Sequence, residues 1–217
     1  FSAKLVVSCD RTWRQKKLIR ASSVQPHLTP EAYLEAEKSS PIKHEYINGQ
    51  IYDMAGASDA HVTLMLNLAL ILKNHLQGTG CRVYASDMKA RIDLLNIFYY
   101  PDILVTCDAR DREFEYFKRY PCLIIEVLSN STEAFDSLSE TLRERGDKFM
   151  DYREIDTLQE YVLVNQKRQQ IECFRRNCEG QWVLYVYRGN REFELTSIDF
   201  TGSISQLYAD VIFPPIQ

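Results

Sequence analysis

Two stretches decide the fold: Tyr99–Cys107, which reads YYPDILVTC, and Cys122–Leu128, which reads CLIIEVL. The second is an almost continuous apolar run with one acid, Glu126, in its middle. Such a run is the mark of a central strand covered on both faces. The first reads as a strand entered through Pro101, where a missing N–H does no harm. Asp102 then opens the β-run Ile103, Leu104, Val105. A carboxylate in a buried strand costs several kcal/mol unless it is paired or bound to a cation. Enough chain separates Asp102 from Glu126 for a loop and return, so neighbouring strands would bring the two carboxylates together on one hard cation. Mg2+ takes one or two protein carboxylates and completes its octahedron with water and phosphate oxygens. The structural reading of each acid alone stands beside this one: Glu126 in a buried salt bridge, Asp102 capping a turn.

Working outward, Leu28-Thr29-Pro30-Glu31 has the form of a helix start, with Thr29 as N-cap and Pro30 in the first turn. That helix should reach about Lys38 and stop before Pro41. Lys43–Tyr52 predicts two short strands around Asn48-Gly49, a type I′ hairpin signal. Glu45 lies beside that hairpin. Ala60–Gln77 predicts a long helix, with Ser58 or Asp59 as cap, Leu64, Met65, Leu68, Ile71 and Leu72 at helical spacing, and Gly78 and Gly80 at its end. Arg82–Ala85 and Lys89–Asp93 are strand-like. A second helix is expected over Leu138–Ile155, with Leu142, Phe149 and Tyr152 facing inward and Gly146 allowing close approach. Glu160–Asn165, Gln170–Arg175 and Trp182–Arg188 read as strands, and the tail Thr196–Ile212 alternates loosely. This order predicts an α/β (α+β) fold, a mixed sheet flanked by helices.

The 217 residues fit one domain with an extension. Residues 1–27 form a basic segment expected to be mobile, and 28–217 the folded domain. Net charge is −4, from 26 basic and 30 acidic residues. Residues 1–21 alone carry +5 and the remainder −9, so nucleic-acid binding has to rest on a local basic patch. The densest one inside the domain is Arg110, Arg112, Lys118 and Arg119, interleaved with acids. No apolar run approaches the roughly 20 residues of a membrane span. The six cysteines form no C-x-x-C pair. They read as reduced thiols of a cytoplasmic protein, with Cys107, Cys122 and Cys173 as small core residues. The four histidines are too widely spread for a His-based metal site. Neither a phosphate-binding G-x-x-x-x-G-K-[ST] loop nor a G-x-S-x-G nucleophile motif occurs.

The ordered set of motifs resembles the PD-(D/E)XK nuclease superfamily, and within it a bacterial restriction-endonuclease-like family. The carriers are LTPEAYL at 28–34, HEYINGQIYDMAGAS at 44–58, CRVYASDMKARI at 81–92, YYPDILV at 99–105, IIEVLSNST at 124–132, GDKFMDYREI at 146–155 and LQEYVLVNQ at 158–166. Together with the helix opening at His61, they span Leu28 to Tyr208. The resemblance implies a restriction-endonuclease-like fold and Mg2+-dependent cleavage of DNA phosphodiester bonds, with Mn2+ able to substitute. It implies Asp102 and Glu126 as metal ligands and Glu45 as the first acid of the site. One departure stands out: two residues after Glu126, where the superfamily has lysine, this chain has Leu128. The matching candidate is Lys148 on the following helix, with Lys89 second; a solvated helix lysine is the structural alternative for Lys148. Tyr152, one turn after Lys148, orients that lysine or packs. His61 binds phosphate at a helix N-terminus or is a satisfied histidine near the core. DNA is the expected partner and a homodimer the expected assembly. Two other classes stay open: a nuclease-fold DNA-binding or regulatory protein without activity, and a dimeric interaction protein without metal that uses Phe114–Tyr120 as its interface.

Overall fold

The structure, a computed structural model, describes residues 27–128 and 148–213. Thr29 caps helix α1 (Pro30–Glu37), its hydroxyl oxygen accepting from the Ala32 N–H at 3.2 Å. Strands β1 (His44–Ile47) and β2 (Gln50–Asp53) form the expected hairpin. Asn48 and Gly49 both take positive φ, 44° and 91°, which suits these residue types. Ser58 caps helix α2 (Asp59–His75), which buries Leu64, Leu68 and Leu72. On its polar stripe, the Asn67 amide donates to the carbonyls of Leu207 and Ala209, each at 2.9 Å. That stripe therefore fastens the C-terminal segment.

Strands β3 (Arg82–Ala85) and β4 (Lys89–Ile92) lie where the sequence places them. The single strand expected over Tyr99–Cys107 is two strands in two sheets: β5 (Ile97–Tyr99) pairs with β1 and β4, and β6 (Ile103–Thr106) with β3. Tyr100-Pro101-Asp102 carries the chain between them. Pro101 has no N–H for a ladder, and the Asp102 carbonyl is taken by the Ser86 N–H at 3.0 Å. A 3-10 turn (Ala109–Glu113) and the two-residue β7 (Phe117–Lys118) lead to β8 (Leu123–Leu128). Helix α3 (Lys148–Tyr152) precedes β9 (Glu160–Asn165), β10 (Gln170–Arg176) and β11 (Trp182–Arg188). The second predicted helix thus ends at Tyr152, short of Ile155, and its first part, including Leu142 and Gly146, lies outside the described residues, as does the basic segment up to residue 26. The loosely alternating tail is a hairpin, β12 (Glu192–Leu195) with β13 (Phe200–Ser203), followed by the short α4 (Ile204–Leu207).

The fold is a mixed α+β assembly of several sheets with few helices. One sheet runs β2-β1-β5-β4-β7, and a second runs β11-β10-β9-β8-β6-β3, with β8 parallel to β9 and its other pairs antiparallel. On one face of the second sheet, Ile103, Val105, Leu123, Ile125 and Val127 pack on α2 and the C-terminal hairpin. On the other, Leu104, Ile124 and Leu128 pack on Tyr152, Tyr99, Ala90 and Ile92. The run Cys122–Leu128 is therefore covered on both sides, as read. Among the described residues no helix is long and apolar enough to cross a membrane.

The reading of all cysteines as reduced is corrected by a disulfide between Cys81 and Cys107. Arg82 faces Thr106 across β3 and β6, so Cys81 and Cys107 are the next facing pair. This is a consequence of register, which spacing along the chain does not reveal. Cys107 is exposed rather than a core residue, Cys122 is half-buried, and Cys173 is buried as expected.

Candidate active site

The register that sets Ile103 opposite Ile125 brings Asp102, one residue before β6, opposite Glu126 of β8. The Asp102 N–H donates to Glu126 Oε2 at 3.4 Å, and Asp102 Oδ2 accepts from the Val127 N–H at 2.7 Å. Two carboxylates from adjoining strands therefore sit together, as the sequence proposed. Neither is sealed from solvent: the Asp102 side chain keeps 18% of its exposure, and Glu126 is the one residue of β8 that is not fully buried.

Their neighbours come from the two helices. His61, in the first turn of α2, sets Nε2 2.9 Å from Asp102 Oδ1. The structure thus aims His61 at the acid. The Tyr152 hydroxyl donates to Glu126 Oε1 at 3.1 Å. Burial, and then the charges of Glu126 and Glu45, push the Tyr152 phenol well above its ordinary pKa, so it stays a protonated donor. Lys148, one turn before Tyr152, reaches Glu45 Oε1 at 2.7 Å; both side chains are mostly buried. Its ammonium also stands 5.1 Å from the centre of the Tyr99 ring. Glu45, Lys148, Tyr152, Glu126, Asp102 and His61 thus form one chain of contacts and charges running from β1 across to α2.

Leu128 is buried in the apolar cluster beside Tyr152, so the position of the missing strand lysine holds no charge. Lys89 does not join the carboxylates. Along β4, Ala90 and Ile92 face the cluster that holds Tyr152 and Tyr99, and strand alternation turns Lys89 the other way. There its ammonium lies 4.8 Å from the Tyr100 ring centre. Burial lowers its pKa, aided by the Lys43 charge and opposed by Glu37 and Asp87. Glu37 in turn accepts from the Tyr100 hydroxyl at 3.0 Å and the His44 N–H at 2.8 Å, a network that ties α1 to β1.

Sequence reasoning missed two features. Tyr99 forms one wall of the Lys148 site: its hydroxyl donates to Asp151 Oδ2 at 2.6 Å and its ring meets Tyr152 edge-on, centroids 5.4 Å apart. It stands in the quoted YYPD motif, but only the Pro-Asp pair drew attention. The second is Glu160, which is fully buried; as the first residue of a predicted strand it carries no mark of burial in the sequence. The basic cluster is largely engaged internally. Arg110 binds Asp108 at 2.6 Å, and Lys118 is buried with its ammonium donating to the carbonyls of Asp111 and Phe114. Arg119 stacks over Phe114 and reaches Asp93 at 3.4 Å.

Comparison with known proteins gives the site a context. Residues 30–204 match the family model Uma2, described as "putative restriction endonuclease". Two uncharacterized proteins of Synechocystis sp. (strain ATCC 27184 / PCC 6803 / Kazusa) are similar over most of their length. The protein slr1290 is 39% identical over 188 residues, 87% of this chain and 95% of its own. The protein sll1609 is 33% identical over 174 residues, 78% and 93%. A crystal structure described as that of a putative nuclease belonging to DUF820, from Anabaena variabilis ATCC 29413, superposes with a TM-score of 0.64 at 17% identity. It covers 85% of this chain and 99% of that one, so the fold is shared over the whole neighbour.

Proposed function

Because the chain belongs to the Uma2 family of putative restriction endonucleases, we propose that it is a divalent-metal-dependent endonuclease that hydrolyses DNA phosphodiester bonds. The observation that carries the reading is the meeting of Asp102 and Glu126 on adjoining strands beside a lysine held by a third acid, Glu45. Two carboxylates side by side, open on one side to solvent, are what a hard cation takes. Among the described residues no three His, Cys, Asp and Glu side chains group as a complete metal cage, so further ligands would come from water and from the substrate phosphate.

Asp102 and Glu126 would hold Mg2+, or Mn2+ in its place. An ion held there would supply polarisation of the scissile phosphate and a lowered pKa for a water in its shell. The remaining work belongs to the chain. Lys148 offers a cation whose place is fixed by Glu45, and it offsets charge that develops on the phosphate oxygens. The Tyr152 hydroxyl fixes Glu126, and His61 and the Val127 N–H fix Asp102, as outer partners of metal-binding carboxylates do.

The test is cleavage of supercoiled plasmid with Mg2+, with Mn2+ and with chelator, beside calorimetric titration of each metal. Wild type is expected to nick DNA only with metal. Asp102→Asn and Glu126→Gln should lose both nicking and metal binding while keeping a native circular-dichroism spectrum. A purified Asp102→Ala protein that nicks at the wild-type rate overturns the assignment. A wild type that retains DNA without cutting it in either metal points instead to a DNA-binding protein on a nuclease fold.

A further inference from the structure

Three sulfurs gather at the end of β6 and β8 remote from Asp102 and Glu126. Cys81, before β3, is bonded to Cys107, just after β6. Cys122, just before β8, is a free thiol with its Sγ 3.8 Å from that of Cys107. This is van der Waals contact between a thiol and one sulfur of a disulfide, the encounter that thiol–disulfide exchange requires. The contact follows from the sheet. Val105 lies opposite Leu123, so the residues that follow β6 and precede β8 meet, and the Cys122 N–H donates to the Val105 carbonyl at 2.9 Å. Cys107 is exposed, so a small thiol in solution can also reach the bond.

We propose that Cys81, Cys107 and Cys122 form a thiol–disulfide exchange site, in which Cys107 bonds alternately to Cys81 and to Cys122. In the exchange the Cys122 thiol loses its proton to solvent and its thiolate attacks Cys107 Sγ. The Cys107–Cys122 bond forms as the Cys81–Cys107 bond breaks, and Cys81 leaves as a thiolate that takes up a proton. No oxidant is consumed. The cross-link moves from the β3–β6 pair to the β6–β8 pair, the two strands that lead to Asp102 and Glu126. When a low-molecular-weight thiol such as glutathione opens the first bond and stays on Cys107, Cys122 resolves the mixed disulfide and glutathione leaves as the thiolate.

Disulfide mapping tests this on the intact chain. Wild-type protein is equilibrated in a glutathione redox buffer, quenched with acid, alkylated and digested with trypsin without reduction. Arg110, Arg112, Lys118 and Arg119 lie between Cys107 and Cys122, so the two cysteines fall on separate peptides and a bond between them is seen directly. The expected result is both linked pairs, Cys81–Cys107 and Cys107–Cys122. Finding Cys107 linked only to Cys81 overturns the proposal. Cys81→Ser, treated with oxidised glutathione, should lose the Cys107 and Cys122 thiols together and gain their mutual bond. Glutathione retained on Cys107 in a Cys81→Ser protein of native circular dichroism also overturns it. Cys122→Ser should keep Cys81–Cys107 alone.

Discussion

Glu160→Ala tests whether the buried acids of this chain divide into two kinds. Glu160 is fully buried at the start of β9. Its Oε1 accepts from Arg175 Nε at 2.7 Å and from the Thr196 N–H at 3.1 Å, and its Oε2 accepts from the Ser197 N–H at 2.9 Å and hydroxyl at 2.6 Å. One carboxylate thereby pins the β9–β10 pair to the turn between β12 and β13. Deleting one member of a buried ion pair costs about 3–5 kcal/mol, since the other charge is left without its partner. Orphaned buried N–H groups add about 1–3 kcal/mol each. The Arg175 side chain keeps 15% of its exposure and will partly rehydrate, which places the net loss near the low end of that sum, about 5 kcal/mol. At about 2–4 °C per kcal/mol for a chain of this size, Tm falls by about 10–20 °C. Circular-dichroism melts at neutral pH measure this. Metal titration of the same protein, below its melting range, should match wild type, because none of these partners belongs to the Asp102–Glu126 site. A Glu160→Ala protein that melts within about 2 °C of wild type, or that loses metal binding while folded, refutes the division.

Lys148 and Glu45 should behave as one unit. In a double-mutant cycle of Lys148→Met and Glu45→Gln, urea unfolding is expected to show a coupling of about 0.5–3 kcal/mol, and strict additivity would sink the pairing. Lys89→Met should leave metal binding intact. The buried Lys89 ammonium has a folded pKa below its ordinary 10.5, so the folded chain binds fewer protons, and wild type gains stability as pH rises through that folded pKa toward 10.5. Lys89→Met removes this gain, and denaturant midpoints taken from pH 8 upward to about 10.5 check it. The Cys122 thiol is pushed up to about 11, chiefly by burial and also by the Glu160 charge, against a reference of 9.0. Its contribution to stability is therefore complete below pH 9 and lost as pH climbs to about 11. Iodoacetamide should label exposed Cys178 well before Cys122 near pH 8; equal rates would contradict the burial.

What could be read from the sequence is what depends on local pattern. The Asn48-Gly49 turn, the Leu64, Leu68, Leu72 stripe of α2 and the doubly covered strand at Leu123–Leu128 all formed as read, because each is dictated by the chemistry of a few adjacent residues. What could not be read depends on register or on sheet membership. YYPDILVTC has the composition of one strand, yet Pro101 splits it between two sheets, and nothing in the apolar pattern marks a change of sheet. That split is what brings Tyr99 to Lys148 while leaving Asp102 beside Glu126. Lys89 lies apart from the two carboxylates for a similar reason: alternation fixes that it opposes Ala90, but not which face of β4 meets α3. The Cys81–Cys107 bond came from register alone, across a span of 26 residues.

The contrast between Glu126 and Glu160 carries this further. In the sequence both are acids at strand positions, and Glu126, set among Ile124, Ile125 and Val127, looked the more anomalous. In the structure Glu160 is the more buried of the two, and it is balanced by a guanidinium, two backbone amides and two hydroxyls within the fold. That set satisfies a carboxylate in the interior and leaves it no further task. Glu126 and Asp102 are instead set against each other. The groups placed on them include a phenol, backbone N–H groups and an imidazole, and the nearby lysine is directed to Glu45. Two adjacent carboxylates repel unless a cation comes between them or one is protonated. Asp102 and Glu126 lie together on strands whose apolar faces are packed on both sides, with both side chains partly open to solvent. Burial alone ranks Glu160 first among the acids of the described residues; it is the character of the partners that sets it apart from Asp102 and Glu126.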